Sequence, residues 1–418
     1  LSATLTTRPT DQTPDEASDR AAAAALLTAG AIRPRCALVM AAAEAGRLTH
    51  FAYHPERLDD TAGFVVETIR ARYPDLAVPY HSRWRHFEAG GVDRWRGPRD
   101  GFADPIARAR AGFDLAIVSV LLDAGAGDVW RYREAATGLE LARSEGLAVA
   151  SFHMMAEGGF GVPWRADAAA LQALDATTLA RGFQVTAINP LVGLDGRVAL
   201  LRRLGTVVAQ NPAVFGAPGR VGHMFDHLAG QAQGGRLSAA RVLEVVLGTL
   251  GPIWPSRLTL GGVALGDVWR HPAVRAPDRS DGLVPFHKLS QWLTYSLLEP
   301  LETAGLTITE LDALTGLPEY RNGGLLLDLG VLTPKDPTLP QRPLSAGDEP
   351  IVEWRALTVI LLDRLAERVR QRLGVDAVSF PLAKLLEGGS WAAGRRIAAQ
   401  RRPGGGPPLT IVSDGTVF

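Results

Sequence analysis

Residues 281–321, DGLVPFHKLSQWLTYSLLEPLETAGLTITELDALTGLPEYR, decide how this chain is read. From 285 to 299 the spacing is helical. Leu289, Leu293 and Leu297 form one apolar stripe, which gathers Lys288, Gln291, Trp292, Tyr295 and Glu299 on another face. Thr307 or Thr309 then caps a short helix ending near 315–316, and LPEYR (317–321) connects it to a second helix over 322–330. Two short helices with a tight connection hold Glu319 and Arg321 at a helix N-terminus facing back toward Lys288. A carboxylate, an amine and a helix start that attracts anions thus converge on one cleft.

Outward from this stretch the pattern stays helical. Helices are expected over 21–31, 58–73, 166–180, 194–204, 238–250 and 350–373, with Pro350 in the first turn of the last one. Strand-like runs are fewer, at 147–154, 183–188, 375–380 and 409–413. Without strict strand–helix alternation the expected class is mainly α with a small β-sheet, an α+β protein. The Thr-, Asp- and Pro-rich residues 1–20 read as a mobile tail with no signal-peptide core, and 21–418 as one large catalytic domain. No internal repeat stands out.

Composition narrows the function. In 418 residues, 46% are apolar, ample for a large core, and 44 Lys plus Arg balance 44 Asp plus Glu. Zero net charge argues against a general nucleic-acid or membrane-surface binder, which needs a long-range positive field. The single cysteine, Cys36, excludes an internal disulfide and a Cys-rich metal site, and favours a reducing, cytoplasmic setting. No apolar run reaches the ~20 residues of a membrane span. Only three cations are lysines (Lys288, Lys335, Lys384), leaving 41 arginines. A lysine kept at 288 among aromatic neighbours points to a compact amine whose pKa can be tuned; a snorkelling surface lysine is the bland alternative.

Three further constellations carry chemistry. Residues 79–96, PYHSRWRHFEAGGVDRWR, set His81, Arg83, Arg85, His86, Arg94 and Arg96 around aromatics, a pattern that suits one phosphorylated small molecule. Structural pairing with Glu88 and Asp93 explains it as well. Residues 119–133, SVLLDAGAGDVWRYR, run from an apolar segment through Asp123 into a glycine turn, followed by Trp130, Arg131 and Tyr132. The turn lacks the Gly-Lys-Ser/Thr ending of a phosphate P-loop. Nearby, Arg143 to Glu145 adds another anion contact. His223 and His227 share a helix face but lack further ligands, so no metal and no cofactor are expected.

Several of these runs resemble a known family. YHSRWRHFE (80–88), LLDAGAG (121–127), WRYRE (130–134), SEGLAVASFHM (144–154), INPLVGLDGR (188–197), VPFHKLSQWLTYSLLEP (284–300) and LPEYRNGGLLLDLGVL (317–332) are similar to the uracil catabolism protein 4 family. The resemblance spans about 73–373. It implies a cytosolic pathway that opens the pyrimidine ring of uridine monophosphate and ends in urea, with this chain acting on ribosylurea or its phosphate. More distantly, FHKLSQ (286–291), LPEYR (317–321) and VEWRA (352–356) resemble the FYKRAQ, FADYR and EIRG runs of queuosine salvage N-glycosylases. That resemblance implies a helical core of the helix-hairpin-helix DNA glycosylase kind over about 281–373. Lys288 matches their lysine, and Glu319 falls where they place an aspartate.

The expected reaction is hydrolysis of the N-glycosidic bond of ribosylurea 5′-phosphate, through an oxocarbenium-like transition state. Glu319 takes the carboxylate role and Lys288 orients it or serves as acid, with Asp123 a second carboxylate. Arg321, Glu353 and Arg355 form a supporting shell, His287, Gln291 and Tyr295 line the substrate, and Arg83, Arg85, Arg131 and Tyr132 hold the phosphate end. The partner is then a phosphorylated ribosyl small molecule, bound by a monomer or homodimer. Two rivals stay open: a phosphoribosyltransferase, whose acidic pair and Thr-Gly loop are missing (412–416 is too short), and a non-catalytic scaffold of the pathway.

Overall fold

Apolar residues recurring at three- and four-residue spacing set the architecture. In the computed structural model, which describes residues 14–123, 125–254 and 257–412, the protein is mainly helical. The Lys288–Thr303 helix is the hub: eleven of its sixteen residues are buried, and the Pro105–Leu121 and Ala239–Leu250 helices pack on it. The long Glu349–Leu373 helix, with Pro350 in its first turn, lies against Ala29–Glu44 and Leu58–Arg72. One continuous core runs from Ala29 to Leu409.

The Tyr320–Asp328 helix packs against both Trp391–Arg401 and the Glu349–Leu373 helix at contact distances that only glycine permits. A Cβ on Gly323 would stand 2.7 Å from the Trp354 indole, and one on Gly394 would strike the Arg321 carbonyl. These two glycines explain why a nine-residue helix sits so deep.

Among the described residues the expected single sheet is instead six two-stranded pairs. Phe51–Tyr53 pairs antiparallel with Leu332–Pro334, and Val268–Arg270 pairs antiparallel with Leu283–Pro285 to deliver the chain into Lys288. The run 147–154, read as a strand, lies inside the Arg143–Ala156 helix. That helix is buried on nearly every side, so polar punctuation of the helical period is missing and the Leu-, Ala- and Met-rich composition decides. Residues 183–188 and 375–380 are turns, whereas Ile411–Val412 does form a strand, parallel to Leu344–Ser345; position 413 lies outside the described residues. The helix expected after Thr307 is a strand, Thr307–Thr309, followed by one 3-10 turn.

The N-terminal tail is also partly structured. Residues 14–20 open the Pro14–Leu26 helix, whose Ala22, Ala23 and Leu26 cover Leu260, Leu265, Val268 and Leu283. Positions 1–13 lie outside the described residues. No single helix among the described residues is long and apolar enough to cross a membrane.

Candidate functional site

Lys288 begins its helix under tight local control. Asp267, just before the Val268–Arg270 strand, accepts the Lys288 backbone N–H through Oδ2 at 2.9 Å. The same carboxylate is clamped in a fork by Arg355, at 2.8 and 2.7 Å, and accepts the Trp269 indole N–H at 2.7 Å. These donors hold Asp267 far below the usual carboxylate range despite its burial. His287 enters at φ +48, a left-handed conformation that costs a non-glycine residue of order 1 kcal/mol. Its ring bonds the Leu26 carbonyl at 2.9 Å, so the docked N-terminal helix helps to hold the strained residue beside the lysine.

Glu319 is held just as firmly. It is the N-cap of the Tyr320–Asp328 helix, its two oxygens accepting the N–H groups of Arg321 (2.7 Å) and Asn322 (2.6 Å). Gln291 reaches from the hub helix to hold the preceding turn. Its amide donates to Phe286 O and Thr315 Oγ1 and accepts from Thr315 N, while the Tyr295 hydroxyl donates to Thr315 O. Arg355 Nε adds a 3.3 Å bond to Pro318 O, linking the Lys288 and Glu319 segments through one guanidinium.

The third charge is Asp123, just beyond the Pro105–Leu121 helix. Fully buried Arg83 lies 3.1 Å from its Oδ1 and also donates to Ser119 Oγ (2.8 Å), Ser144 O (3.1 Å) and His86 Nδ1 (3.2 Å). Arg197 braces the Asp123 turn through Leu122 O and Gly125 O, at 3.2 and 3.1 Å. Among the described residues two buried donors here have no hydrogen-bond partner: Arg83 Nη2 and Trp292 Nε1. Trp292 and His86 stand with ring centres 5.7 Å apart, and His86 and Trp391 6.3 Å apart.

Electrostatics join the three. Burial pushes the Lys288 amine below the ordinary lysine value, and the charges that oppose this most are Glu319 and then Asp123. Burial raises the Glu319 carboxyl, against its two backbone donors and Lys288. His86 falls to about 4, through desolvation and then the charge of Arg83, and is neutral at pH 7. Among the described residues the Lys288 ammonium forms neither a hydrogen bond nor an ion pair, and the residue is only half-buried. A cation held without a partner beside two carboxylates is available to a ligand.

A groove of about 410 Å³ opens beside this cluster, lined by His86, Trp391 and Glu387 and by Arg72, Arg85, Arg143 and Arg395. Burial and then the Glu319 charge push the Tyr320 hydroxyl above its ordinary value, with Asp123 and the groove residue Arg143 also in electrostatic reach of it. Arg143 stands at φ +53 at the start of its helix, and among the described residues its guanidinium has no hydrogen bond or ion pair.

Arg83 and Asp123 are thus paired, and Lys288 lies within electrostatic reach of Glu319 and Asp123, with Arg355 and His287 acting on the backbone that carries them. Other expected ligand contacts are otherwise engaged. Gln291 and Tyr295 hold the Thr315 turn; Arg321 donates to Gly405 O at 2.7 Å; Glu353 accepts the backbone N–H of Phe51 at 2.8 Å. Arg85 pairs with Glu88 and Glu299, and Arg94 with Glu134, so the structural reading holds for those two arginines. Arg131 folds back on Asp128 O and Trp130 O, and Tyr132 stacks on His153, neither lining the groove. His223 bonds Phe215 O and His227 contacts Gln231, so they do not face a shared ligand. Of the glycine turn 124–127, position 124 lies outside the described residues, and Gly127 fits closely under Val192 rather than under a ligand. Sequence reasoning does not single out Asp267, Trp391 or Arg395, whose segments carry no motif, and it gives no role to Arg197 or Tyr320 although both lie inside quoted runs.

The comparisons with known proteins agree on one lineage. Residues 25–418 match the family described as "Protein of unknown function (DUF1688)". Protein urg3 of Schizosaccharomyces pombe is 41% identical over 416 residues, covering 94% of this chain and 98% of that protein. Uracil catabolism protein 4 of Lachancea kluyveri is 38% identical over 414 residues, covering 89% of this chain and 93% of that protein. With similarity of this depth over nearly its whole length, the chain belongs to the DUF1688 family, alongside the proteins named urg3 and uracil catabolism protein 4.

Proposed function

We propose that this protein acts in uracil degradation and hydrolyses the N-glycosidic bond of ribosylurea 5′-phosphate. Water adds to C1′ of the ribose, the C1′–N bond breaks, and the nitrogen leaves with a proton, giving ribose phosphate and urea. The observation that carries the reading is the Lys288 amine, without a hydrogen bond or ion pair among the described residues and in the field of the Glu319 and Asp123 carboxylates.

Cleavage of this bond builds positive charge on the sugar, which a fixed carboxylate stabilises, and needs a proton for the departing nitrogen. Glu319 suits the stabilising role, because two backbone N–H groups hold it rigid and each oxygen keeps a free lone pair. Lys288, its amine made more acidic by burial, donates the proton or orients the ureido group. Asp123 accepts the proton of the attacking water. The unpartnered Arg83 Nη2 and Trp292 Nε1 supply donors for the urea carbonyl. Arg143, at the start of an uncapped helix, takes the phosphate, in place of the Arg131 and Tyr132 segment. The names of the relatives support the pathway, and the resemblance of 286–291, 317–321 and 352–356 to queuosine salvage glycosylases supports the bond.

The experiment is to incubate purified protein with ribosylurea 5′-phosphate and measure urea, then repeat with Lys288→Ala and Glu319→Gln. Urea from the wild type and at least 100-fold less from both variants is expected. No urea from the wild type overturns the hydrolase; undiminished variants remove the site.

A further inference from the structure

The Val268–Arg270/Leu283–Pro285 hairpin ends at Lys288 on one side and at His271 on the other, and the His271 end gathers a second set of polar groups. His50 Nε2 lies 3.5 Å from Glu349 Oε1, and His271 Nε2 lies 3.5 Å from Glu353 Oε2. One ligand atom from each of His50, Glu349 and Glu353 falls within 4.8 Å of the other two. Glu349 and Glu353 are four apart on one helix, so their side chains share a face.

Glu353 is the unusual member. It is completely buried; Oε1 accepts the N–H groups of His50 and Phe51, and Oε2 has no hydrogen-bond partner among the described residues. A buried carboxylate oxygen without a donor or a cation is costly. His271, 2% exposed, accepts the Ala273 N–H on Nδ1, which leaves the proton on Nε2, turned toward Glu353 but not bonded to it.

We infer that His50, Glu349 and Glu353 bind one divalent transition-metal ion, with His271 as the N–H donor that orients the Glu353 carboxylate. One imidazole and two carboxylates suit zinc or manganese, and three protein ligands leave a position for water. A ligating carboxylate oxygen retains a lone pair for the outer donor, as His271 is placed to provide. The 3.5 Å spacing between His50 and Glu349 is close to the ~3.4 Å separating ligands in a tetrahedron of 2.0–2.1 Å bonds. Solvent reaches the site past His50 and Glu349, whose side chains are 24% and 41% exposed. The ion ties the Phe51–Tyr53 strand to the start of the helix that also carries Arg355, independently of the reaction assigned to Lys288.

The test uses the full chain, stripped with EDTA, desalted and titrated with Zn²⁺ alone by calorimetry, with thermal denaturation alongside. One equivalent is expected to bind and to raise Tm by a few degrees. His50→Ala and Glu349→Gln, both at the solvent side where the fold tolerates change, should each weaken binding at least 10-fold, whereas His227→Ala should not. Glu353→Gln should abolish binding. Absence of saturable binding overturns the inference, as does wild-type affinity in both His50→Ala and Glu349→Gln, or a loss in His227→Ala that matches theirs.

Discussion

Replacing Lys288 with methionine tests the site through stability as well as rate. The ammonium makes no hydrogen bond and no ion pair among the described residues, so the substitution breaks none. Lys288's structural bond is its backbone N–H to Asp267, which methionine keeps. The aliphatic stem is largely retained too. Because burial pushes the amine below its ordinary value of 10.5, the folded protein releases this proton at a lower pH than the unfolded chain does. The charged form of Lys288 therefore costs stability in full below its folded pKa, and the cost fades as pH rises from there toward 10.5. Lys288→Met is expected to unfold within about 0.5 kcal/mol of wild type, or later, at pH 7. Any advantage of the variant should shrink between pH 7 and pH 10.5. Urea release should fall by about 10²–10⁴, the contribution of one positioned proton donor. Chemical denaturation across that pH range and a urea assay read both. A variant destabilised by 2 kcal/mol or more would refute the idea of an amine retained for chemistry, as would unaltered turnover.

The other expectations follow from the same contacts. Glu319→Gln should lose activity and also about 1–3 kcal/mol of stability, because its amide nitrogen cannot accept the Arg321 or Asn322 N–H; calorimetry separates it from Lys288→Met. Arg143→Ala should raise KM for ribosylurea 5′-phosphate at least 10-fold and leave unphosphorylated ribosylurea little changed, a comparison made by steady-state urea release. Asp267→Asn strips the bidentate partner from buried Arg355 and should cost about 3–5 kcal/mol in urea denaturation. Glu134 is held near 2 by the Arg94 fork, with Thr137 and His153 also bonded to it. Its depressed value gives stability that is complete above about pH 4.5 and lost as pH falls through 2. Against a 4.5 reference this amounts to about 3 kcal/mol, and Glu134→Gln should flatten acid unfolding over that interval.

What the sequence reveals tracks the range of the physics involved. The helices over 58–73, 194–204, 238–250 and 350–373 rest on local periodicity and caps, and each is present with boundaries shifted by a few residues at most, save 194–204, which runs on to Gln210. The run 147–154 misleads because full burial erases the polar face that marks a helical period. Lys288 is legible from scarcity, a lone amine in an arginine-rich chain, and Glu319 from its place before a helix. Asp267 is not: its fork to Arg355 spans 88 residues, and nothing local marks an aspartate before a three-residue strand. The supporting roles are likewise hidden. Gln291 and Tyr295 share the helix of Lys288, and periodicity places them on its chemical face, but that helix is buried nearly all round and their polar atoms hold the Thr315 turn.

Those same engaged residues explain how a free amine survives in this fold. An unpaired, partly desolvated cation ordinarily relaxes, either by drawing in a carboxylate or by swinging its helix end outward. Here both routes are closed. Glu319 is pinned by two backbone N–H groups and Asp123 by Arg83, with Arg197 holding its turn, so neither can move to neutralise Lys288. The start of the lysine helix is pinned in turn by Asp267, itself clamped by Arg355, and by strained His287 anchored to Leu26. Loosening a clamp should thus restore a Lys288–carboxylate pair and lower activity without touching any group that meets the substrate. Arg197→Met is the clearest case, since Arg197 donates to the Leu122 and Gly125 carbonyls on either side of Asp123 and to Val192 O just before its own helix. Its turnover should fall while the affinity for ribosylurea 5′-phosphate changes less, and a variant with wild-type turnover would show that the rigidity of Asp123 plays no part.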